Sequence, residues 1–363
     1  MENTEEESFL RTIRAEPHDD APRLVFADWL EEHGQAERAE FIRLQCTLEC
    51  LAPDDPQRPS LIKRERQLWQ KHSGRWRSPL PSRIRRYQFR RGFIYPSTIE
   101  LSARQFLTLP DECFAAAPLW GVTLSLGTDD AAVELIQAPR LEQVGSLAIR
   151  ARGVDTHLLR DLLNSPNLRN LVRLQMEGRS FGPDHLGAVA GSPHLTRLRK
   201  LAVKCNPIGR DGAEAIAGSP GMARLDALEL DNCAVGDAGL RTISESPYLA
   251  QLRVLKLHQN GLSTDTARAL MGGTHLRHLT ILDLYVNHLG DDGARALALA
   301  PGMDRLTHLD LGYNWIGPDG ARALANSPHL ARLRHLYLGG NRFTEDHNAL
   351  VALRARFGGR VAV

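Results

Sequence analysis

Apolar positions in the second half of the chain recur on a frame of 27 residues, without insertion or deletion. Each copy begins with an alternation of apolar and polar residues, and apolar residues at helical spacing follow. A period of two predicts a short half-buried strand, and the later spacing predicts a helix. A repeat of this length indicates a solenoid in which each unit packs only against its neighbours. Seven copies begin with a leucine: Leu171, Leu198, Leu225, Leu252, Leu279, Leu306 and Leu333.

Single positions of the frame predict how each repeat turns. Leu309 and Leu311 alternate along one predicted strand, and Asn314 follows at the ninth position. An asparagine there can satisfy backbone groups where the strand turns away. The same residue type recurs at Asn206, Asn260, Asn287 and Asn341. Because Arg179 and Cys233 replace it in two copies, we expect a weaker hydrogen-bond ladder there.

Two further positions frame each predicted helix. An aspartate at position fourteen is suited to cap the helix that follows. These aspartates are Asp184, Asp211, Asp265, Asp292, Asp319 and Asp346. A Ser-Pro pair such as Ser327-Pro328 is expected to end the helix. Since strands stack about 4.8 Å apart and helices need about 8–10 Å, the array should bend, with its strands on the concave face.

The frame L-x-x-L-x-L-x-x-N-x-φ-G, where φ is apolar, resembles the ribonuclease-inhibitor-like class of leucine-rich repeat. Two diverged units, at residues 122–124 and 144–149, precede the seven regular copies. The resemblance implies an α/β solenoid over residues 117–363, a curved horseshoe with parallel strands on its concave side and helices on its convex side.

Residues 1–51 predict three short amphipathic helices, over about 5–15, from Asp20-Ala-Pro22 to Gly34, and over about 37–51. The strings Asp19-Asp20-Ala-Pro22-Arg23-Leu24-Val-Phe-Ala-Asp28-Trp29-Leu30 and Arg38-Ala-Glu40-Phe41-Ile42-Arg43-Leu44-Gln45 are similar to the bacterial repeat-companion domain. That resemblance implies a small helical module and a bacterial source, but no biochemical activity.

Residues 52–116 separate the helices from the array. A turn-rich stretch to Pro59 precedes a helix that contains Leu68 and Trp69, and two strand-like pieces follow at 87–89 and 93–95. A solenoid needs an atypical terminal unit over its open edge. We therefore expect a linker and a basic N-terminal cap in this zone.

The formal net charge of +2 conceals two opposed segments. Residues 1–57 carry a charge of −10, and residues 58–91 carry +11. The basic segment alternates cations with aromatic residues, as nucleic-acid surfaces do. Its candidate polyanion contacts are Arg83, Arg85, Arg86, Arg90 and Arg91. Docking of these cations on the acidic helices of the same chain is the interpretation we favour.

Side chains beside the core leucines should face the concavity, at frame positions three, five, seven and eight, with position ten near the rim. In the later repeats they combine aromatic rings with charges, a composition typical of interface hot spots. Exposed aromatics on strands also arise from β-propensity alone. The candidate partner-binding residues are Glu229, Asp231, Lys256, His258, Asp283, Tyr285, His308, Asp310, Tyr313, Trp315, His335 and Tyr337.

The sequence contains no phosphate-binding loop, zinc-protease or calcium-loop motif. Gly178-Arg-Ser180-Phe-Gly182 satisfies the G-x-S-x-G pattern of nucleophile elbows, but the repeat frame accounts for its glycines. Cys46 and Cys50 share a helical face, yet no second ligand pair lies near them in sequence. We therefore expect no catalytic residue, no metal and no cofactor.

Taken together, these patterns predict a non-enzymatic protein that binds an unidentified protein partner through the concave face. Nucleic-acid binding through residues 75–91 is the alternative, and a GTPase regulator is a weaker one that rests on fold analogy alone. An acidic N-terminus and five cysteines without a signal peptide indicate a cytoplasmic protein. We expect no membrane association and a monomer or weak oligomer.

Overall fold

The computed structural model divides the chain into two compact units. One unit comprises Met1–Ser125 and Arg140–Leu147, and the other comprises Leu126–Pro139 and Ala148–Val363. The structure describes residues 2–15, 19–51, 55–76, 89–94, 99–110, 113, 121–127, 130–153, 155–272, 275–343 and 345–363.

Helices and strands alternate through most of the described chain. The helices are α1 (Glu2–Ala15), α2 (Ala21–Glu32), α3 (Ala36–Cys50), α4 (Arg58–Trp76), α5 (Ala103–Leu107), α6 (Ala131–Ile136), α7 (Thr156–Leu163), α8 (Pro183–Gly191), α9 (Gly209–Ala217), α10 (Gly236–Glu245), α11 (Thr264–Gly272), α12 (Gly290–Ala298), α13 (Pro318–Ala325) and α14 (His347–Phe357). The strands are β1 (Phe89–Arg90), β2 (Phe93–Ile94), β3 (Glu100–Ser102), β4 (Gly121–Leu126), β5 (Ser146–Ala151), β6 (Arg173–Glu177), β7 (Lys200–Lys204), β8 (Ala227–Asp231), β9 (Val254–Lys256), β10 (Ile281–Asp283), β11 (His308–Asp310), β12 (His335–Tyr337) and β13 (Val361–Ala362).

Helices α1, α2 and α3, the three helices predicted before residue 52, share one apolar core with the hairpin of β1 and β2. Phe26, Ile42 and Phe93 are buried in this core. The hairpin lies so close to α3 that a Cβ on Gly92 would come within 2.3 Å of Ile42. The Gln45 amide fastens the hairpin, because its oxygen accepts the Gly92 N–H at 2.7 Å and its nitrogen donates to the Phe89 carbonyl at 3.2 Å.

Opposed charges within the first unit meet in ion pairs. Arg64 contacts Glu40 through two hydrogen bonds of 2.7 Å. Arg90 contacts Glu49 at 2.5 Å, and Arg91 lies 3.5 Å from the carboxylate of Asp20. Of the candidate polyanion contacts, Arg90 and Arg91 thus dock on the acidic helices as the favoured interpretation predicts, and Arg64 adds a third ion pair.

The large sheet has eleven strands, ordered β13 to β3 in reverse chain order, and β1 pairs with β2 in a separate antiparallel hairpin. Neighbouring strands of the array are parallel, and their register is one full repeat. Leu282 of β10 is opposite Leu255 of β9 on one side and Leu309 of β11 on the other. Consecutive helices of the array also contact one another, so that each repeat adds one strand and one helix.

Buried asparagines link the repeats as the frame predicts. The Nδ2 of Asn287 donates to the Leu257 carbonyl of the preceding repeat at 3.0 Å. Its Oδ1 accepts the N–H groups of Asn260 and Leu262 at 3.0 and 3.1 Å. In the repeat where Cys233 replaces the asparagine, the thiol donates to the Val203 carbonyl at 3.2 Å instead.

The prediction for the position-fourteen aspartates is wrong for all but one of them. Only Asp346 caps its helix, where its carboxylate accepts the Ala349 N–H at 2.7 Å. The others lie inside the first helical turn, because the chain becomes helical before it reaches them. Three of them instead form ion pairs with an arginine three residues later: Asp265 with Arg268, Asp292 with Arg295, and Asp319 with Arg322.

Serines of the Ser-Pro pairs do more than end helices. The Ser219 hydroxyl donates to the Ala190 carbonyl at 2.5 Å, and the Ser327 hydroxyl donates to the Ala298 carbonyl at the same distance. Both acceptors lie in the last turn of the preceding repeat's helix, where carbonyls lack helical partners. The serines therefore form a second ladder between repeats.

Candidate functional site

The strand face comprises the side chains at frame positions three, five, seven, eight and ten of the seven regular repeats. In β9, β10 and β11 the central leucine is buried, and the residues on either side of it are partly exposed. In β12 the flanking residues, His335 and Tyr337, are exposed. The strand face is therefore the open side of the sheet, opposite the leucine core.

A buried carboxylate organises the middle of the strand face. The side chain of Glu229 is only 6% exposed, and its Oε1 lies 2.6 Å from Lys200 Nζ and 3.3 Å from Lys256 Nζ. Burial raises the pKa of Glu229, but the hydrogen bond and charge of Lys200 and the charge of Lys256 outweigh burial and lower that pKa overall. A partner at this point meets the two lysines rather than the glutamate.

The negative charges of three further carboxylates, Asp231, Asp283 and Asp310, are balanced less fully by nearby cations. Burial raises the pKa of Asp231 and of Asp310, and the charge of Asp283 raises both further. Asp231 lies 3.9 Å from Lys204 Nζ. Within the part of the chain that the structure describes, no cation forms an ion pair with Asp283 or Asp310. Each of these two carboxylates instead accepts a backbone N–H, from Tyr285 to Asp283 at 3.0 Å and from Gly312 to Asp310 at 2.9 Å.

Aromatic rings continue across the next repeats in contact with one another. The rings of His258 and Tyr285 are 4.9 Å apart, and those of Tyr285 and Tyr313 are 5.4 Å apart, both pairs edge to face. Each tyrosine ring lies over a glycine of the following repeat. A Cβ would come within 2.8 Å of the Tyr285 ring on Gly312, and within 2.6 Å of the Tyr313 ring on Gly340. The glycines thus provide the space in which the rings lie.

Trp315 is held between two residues of neighbouring repeats. Its ring centroid is 4.2 Å from that of His288, and the Arg342 guanidinium lies 5.1 Å from the indole centroid. Stacking of this kind, including the cation–π contact, holds an exposed ring in one orientation. The tryptophan is therefore presented to solvent in a defined position.

At the edge of the same region, His308 and His335 stack with centroids 4.5 Å apart, and Tyr337 lies 6.4 Å beyond His335. Burial lowers the pKa of His308, and the charges of His335 and Arg334 lower it further. A neutral His308 ring can remain in contact with His335 without charge repulsion.

The regular repeats match a family model. A leucine-rich-repeat model, described as "Leucine Rich repeat", matches residues 193–217, 275–298 and 306–325. The array is a leucine-rich-repeat solenoid. Its parallel strands, adjacent helices and asparagine ladder are the geometry that the sequence pattern predicts.

Solved structures with a similar fold include three proteins. An internalin (inlF) from Listeria monocytogenes is 17% identical with a TM-score of 0.41, and the match covers 67% of each chain. A protein from Bacteroides fragilis is 14% identical with a TM-score of 0.43, covering 62% of this chain and 67% of that one. The yeast complex of Rad7 and Elc1 gives 15% identity and a TM-score of 0.37, over 92% of this chain and 91% of that one. No curated protein matches the sequence.

The leucine-rich-repeat array brings most of the predicted contact residues onto one surface. We call Tyr285, Tyr313, Trp315 and Tyr337 the aromatic patch. Sequence reasoning did not identify His288 and Arg342, which hold Trp315, or Gly312 and Gly340, which lie under the tyrosines. The two glycines could have been found from the sequence. Gly312 follows Tyr285 at position seven of the next repeat, and Gly340 follows Tyr313 at position eight of the next repeat.

The other candidates of the sequence have structural roles or lie outside the described residues. Arg83, Arg85 and Arg86 lie outside them, whereas Arg90 and Arg91 form the ion pairs given above. Ser180 of the G-x-S-x-G string donates its hydroxyl to the Ala151 carbonyl at 2.9 Å, as a link between repeats.

Within the described ranges, no group of three or more His, Cys, Asp or Glu side chains could hold a metal ion. The Cys46 thiol is buried, and burial raises its pKa to about 12. None of the described helices combines the length and the apolar character that a membrane span requires.

Proposed function

We propose that this protein binds a partner protein through the strand face, with the aromatic patch at the centre of the contact. The exposure of three rings supports this proposal most directly. Tyr313, Trp315 and Tyr337 are 53%, 50% and 44% exposed. Among the described residues, no other Phe, Tyr or Trp is exposed to this degree. Tyrosine and tryptophan dominate the binding energy of many protein interfaces.

Backbone conformation supports the same conclusion. Tyr313 and Trp315 adopt φ angles of 54° and 60°, in the left-handed region that bulky residues avoid. Glycine occupies equivalent positions in other repeats, at Gly340 and Gly261, and its φ is positive there too. The repeat frame imposes this conformation, since position eight also has a positive φ at Cys205, Asn232, Gln259 and Val286. A large ring there adds no stability over glycine, so a role in an interaction is the explanation that we favour for it.

Preorganisation would favour binding. The contacts of Tyr313 with Tyr285, and of Trp315 with His288 and Arg342, restrict the rings before a partner arrives. A side chain that is already ordered loses less conformational entropy on association, by about 0.5–1.5 kcal/mol for each rotamer-rich side chain. The carboxylates of Asp283 and Asp310 beside the rings, which form no ion pair among the described residues, would add selectivity for a partner with basic residues.

We further propose that the helices of residues 1–51 form an accessory module of the repeat-companion type. Their core is formed with β1 and β2, and their acidic surface is partly neutralised by Arg64, Arg90 and Arg91. We place the protein in the cytoplasm, because its five cysteines include no pair that requires an oxidising compartment.

Partner capture from a lysate of the source organism tests the proposal. The variant Y313G/W315G/Y337A removes the exposed rings and relieves the left-handed backbone at two of the three positions. We expect it to lose the proteins that the wild type captures, while its thermal unfolding midpoint stays within a few degrees. The matched control V133S/L299S/V351S removes three exposed apolar side chains outside the strand face and should retain capture.

Two results would contradict the proposal. One is equal capture by the wild type and the aromatic-patch variant, quantified by mass spectrometry. The other is loss of capture by the control variant to the same degree, because that result would place the contact outside the strand face.

A further inference from the structure

Arginine is concentrated at the edge where the chain enters the strands of the array. We call frame positions twenty-six, twenty-seven and two the start edge. From residue 169, just before the first regular repeat, through the last of them, these positions contain nine arginines, two aspartates and neither lysine nor glutamate, a formal charge of +7 against +2 for the whole chain. The arginines are Arg169, Arg197, Arg199, Arg224, Arg253, Arg277, Arg305, Arg332 and Arg334.

Backbone hydrogen bonds arrange the position-two residues of the start edge in a row. The N–H of each position-two residue donates to the carbonyl of its counterpart in the preceding repeat, from Arg199 to Arg334, and every one of these distances is 2.8 Å. Successive position-two residues are therefore one strand spacing apart, about 4.8 Å. Five such steps separate Arg199 from Arg334, which makes the row roughly 24 Å long.

Several guanidinium groups of the start edge have no side-chain hydrogen bond or ion pair among the described residues. Arg253, Arg332 and Arg334 are exposed, and the structure shows no side-chain hydrogen bond or ion pair for them in the residues that it describes. Cations elsewhere in the array differ, since Lys200 and Arg322, for example, contact carboxylates at 2.6 Å.

The two aspartates of the edge do not neutralise these arginines. Asp226 pairs with Arg199 at 3.5 Å, and Asp304 contacts His329 at 2.7 Å. The positive charge of the later repeats is therefore uncompensated at this edge.

Arg305, Arg332 and Arg334 converge on an open groove of about 560 Å³ that Thr280 and Thr307 also line. The threonine hydroxyls are engaged, because they donate to the carbonyls of the preceding repeats at 3.1 and 3.0 Å. The Arg305 guanidinium contacts His278 Nδ1 at 3.2 Å through one of its nitrogens, so the guanidinium groups of Arg332 and Arg334 and the remaining N–H groups of Arg305 are the available donors of the groove. Their fork of N–H groups matches the oxygens of a phosphate, which can accept two parallel hydrogen bonds.

We propose that the start edge binds the phosphate backbone of double-stranded nucleic acid, independently of base sequence. A duplex carries one charge per about 1.7 Å of its axis, which gives roughly 14 phosphates over the length of the row. The start edge contains no Phe, Tyr or Trp on which unpaired bases could stack, and this favours a duplex over a single strand. This surface uses frame positions other than those of the strand face and includes no residue of the aromatic patch.

Fluorescence anisotropy with a labelled 24-base-pair DNA duplex of arbitrary sequence, at several salt concentrations, tests the inference. The full-length chain should bind, with an affinity that falls steeply with salt. The variant R305Q/R332Q/R334Q should lose roughly tenfold or more in affinity, and the slope of log affinity against log salt should decrease by about three. The control R268Q/R295Q/R322Q removes the same charge from the helices and should change the affinity by less than threefold.

Four outcomes would overturn the inference. They are absence of duplex binding at low salt, equal losses in the two triple variants, and tighter binding of single-stranded DNA or of polyglutamate than of the duplex. The fourth is a loss that occurs only in R83Q/R85Q/R86Q, because that result would assign binding to the basic segment. Circular dichroism melts of all variants exclude a loss through unfolding.

Discussion

Replacement of Asn287 by alanine should destabilise the array more than any surface change. The side chain is 1% exposed and connects two repeats. Its loss leaves three buried backbone groups without a partner: the N–H of Asn260, the N–H of Leu262 and the carbonyl of Leu257. The carbonyl of Leu284 also contacts Asn287, but it keeps a hydrogen bond of 2.7 Å from Asn314.

These three backbone groups set the size of the stability loss. Each buried polar group without a partner costs about 1–3 kcal/mol, so three groups cost about 3–9 kcal/mol. Water that enters the space left by the amide would satisfy part of this loss. We therefore expect the free energy of unfolding to fall by roughly 3–5 kcal/mol. The N287C variant should lose less, because a thiol can still donate to the carbonyl as Cys233 does.

Urea unfolding followed by circular dichroism measures the free energy, and amide hydrogen exchange locates the loss. Protection should decrease most at Asn260 and Leu262, since repeats interact only with their neighbours. The N348A variant is the control, because Asn348 is exposed in α14, and it should change stability by less than about 0.5 kcal/mol. A loss below about 1 kcal/mol for N287A, or unchanged protection at both amides, would refute the reasoning.

Three further predictions concern single positions of the array. C233N should restore the asparagine ladder and raise the free energy of unfolding by roughly 1 kcal/mol in urea titrations; a decrease would show that the site accepts only the thiol. E229Q should destabilise the protein at pH 7, and because the folded-state pKa of Glu229 is lowered, the difference from wild type should shrink as the pH falls below its ordinary value of 4.5. D310N should stabilise the protein at pH 7, and since the pKa of Asp310 is raised, this gain should disappear as the pH falls to its ordinary value of 3.8; pH-dependent melts that show the opposite trend would contradict it.

The periodic features of the fold were predictable because they recur in one register in all or most of the seven regular copies. The core leucines, such as Leu282 and Leu309, and the asparagine ladder follow directly from the frame. The role of the aspartates was not predictable in the same way. Gly209 and Gly290 adopt φ angles of 62° and 60° and begin their helices early, which places the aspartates inside the first turn.

The candidate site was predictable only in part. A strand period of two identifies which side chains share a face, so Tyr285 and Asp310 were expected on one surface. Their contacts depend on residues one repeat away, such as Gly340 under Tyr313, and a period along the chain does not show which neighbours touch. The start edge has the same property, since its charge becomes evident only when equivalent positions of different repeats are compared.

The strict 27-residue register has a consequence for how the binding surfaces can change. Every repeat contributes five positions to the strand face and three to the start edge. Duplication or deletion of one complete repeat would therefore lengthen or shorten both surfaces together, in a step of about 4.8 Å. A substitution alters the chemistry of one surface alone. The number of repeats therefore sets the length of both sites together, whereas substitutions change the specificity of each site separately.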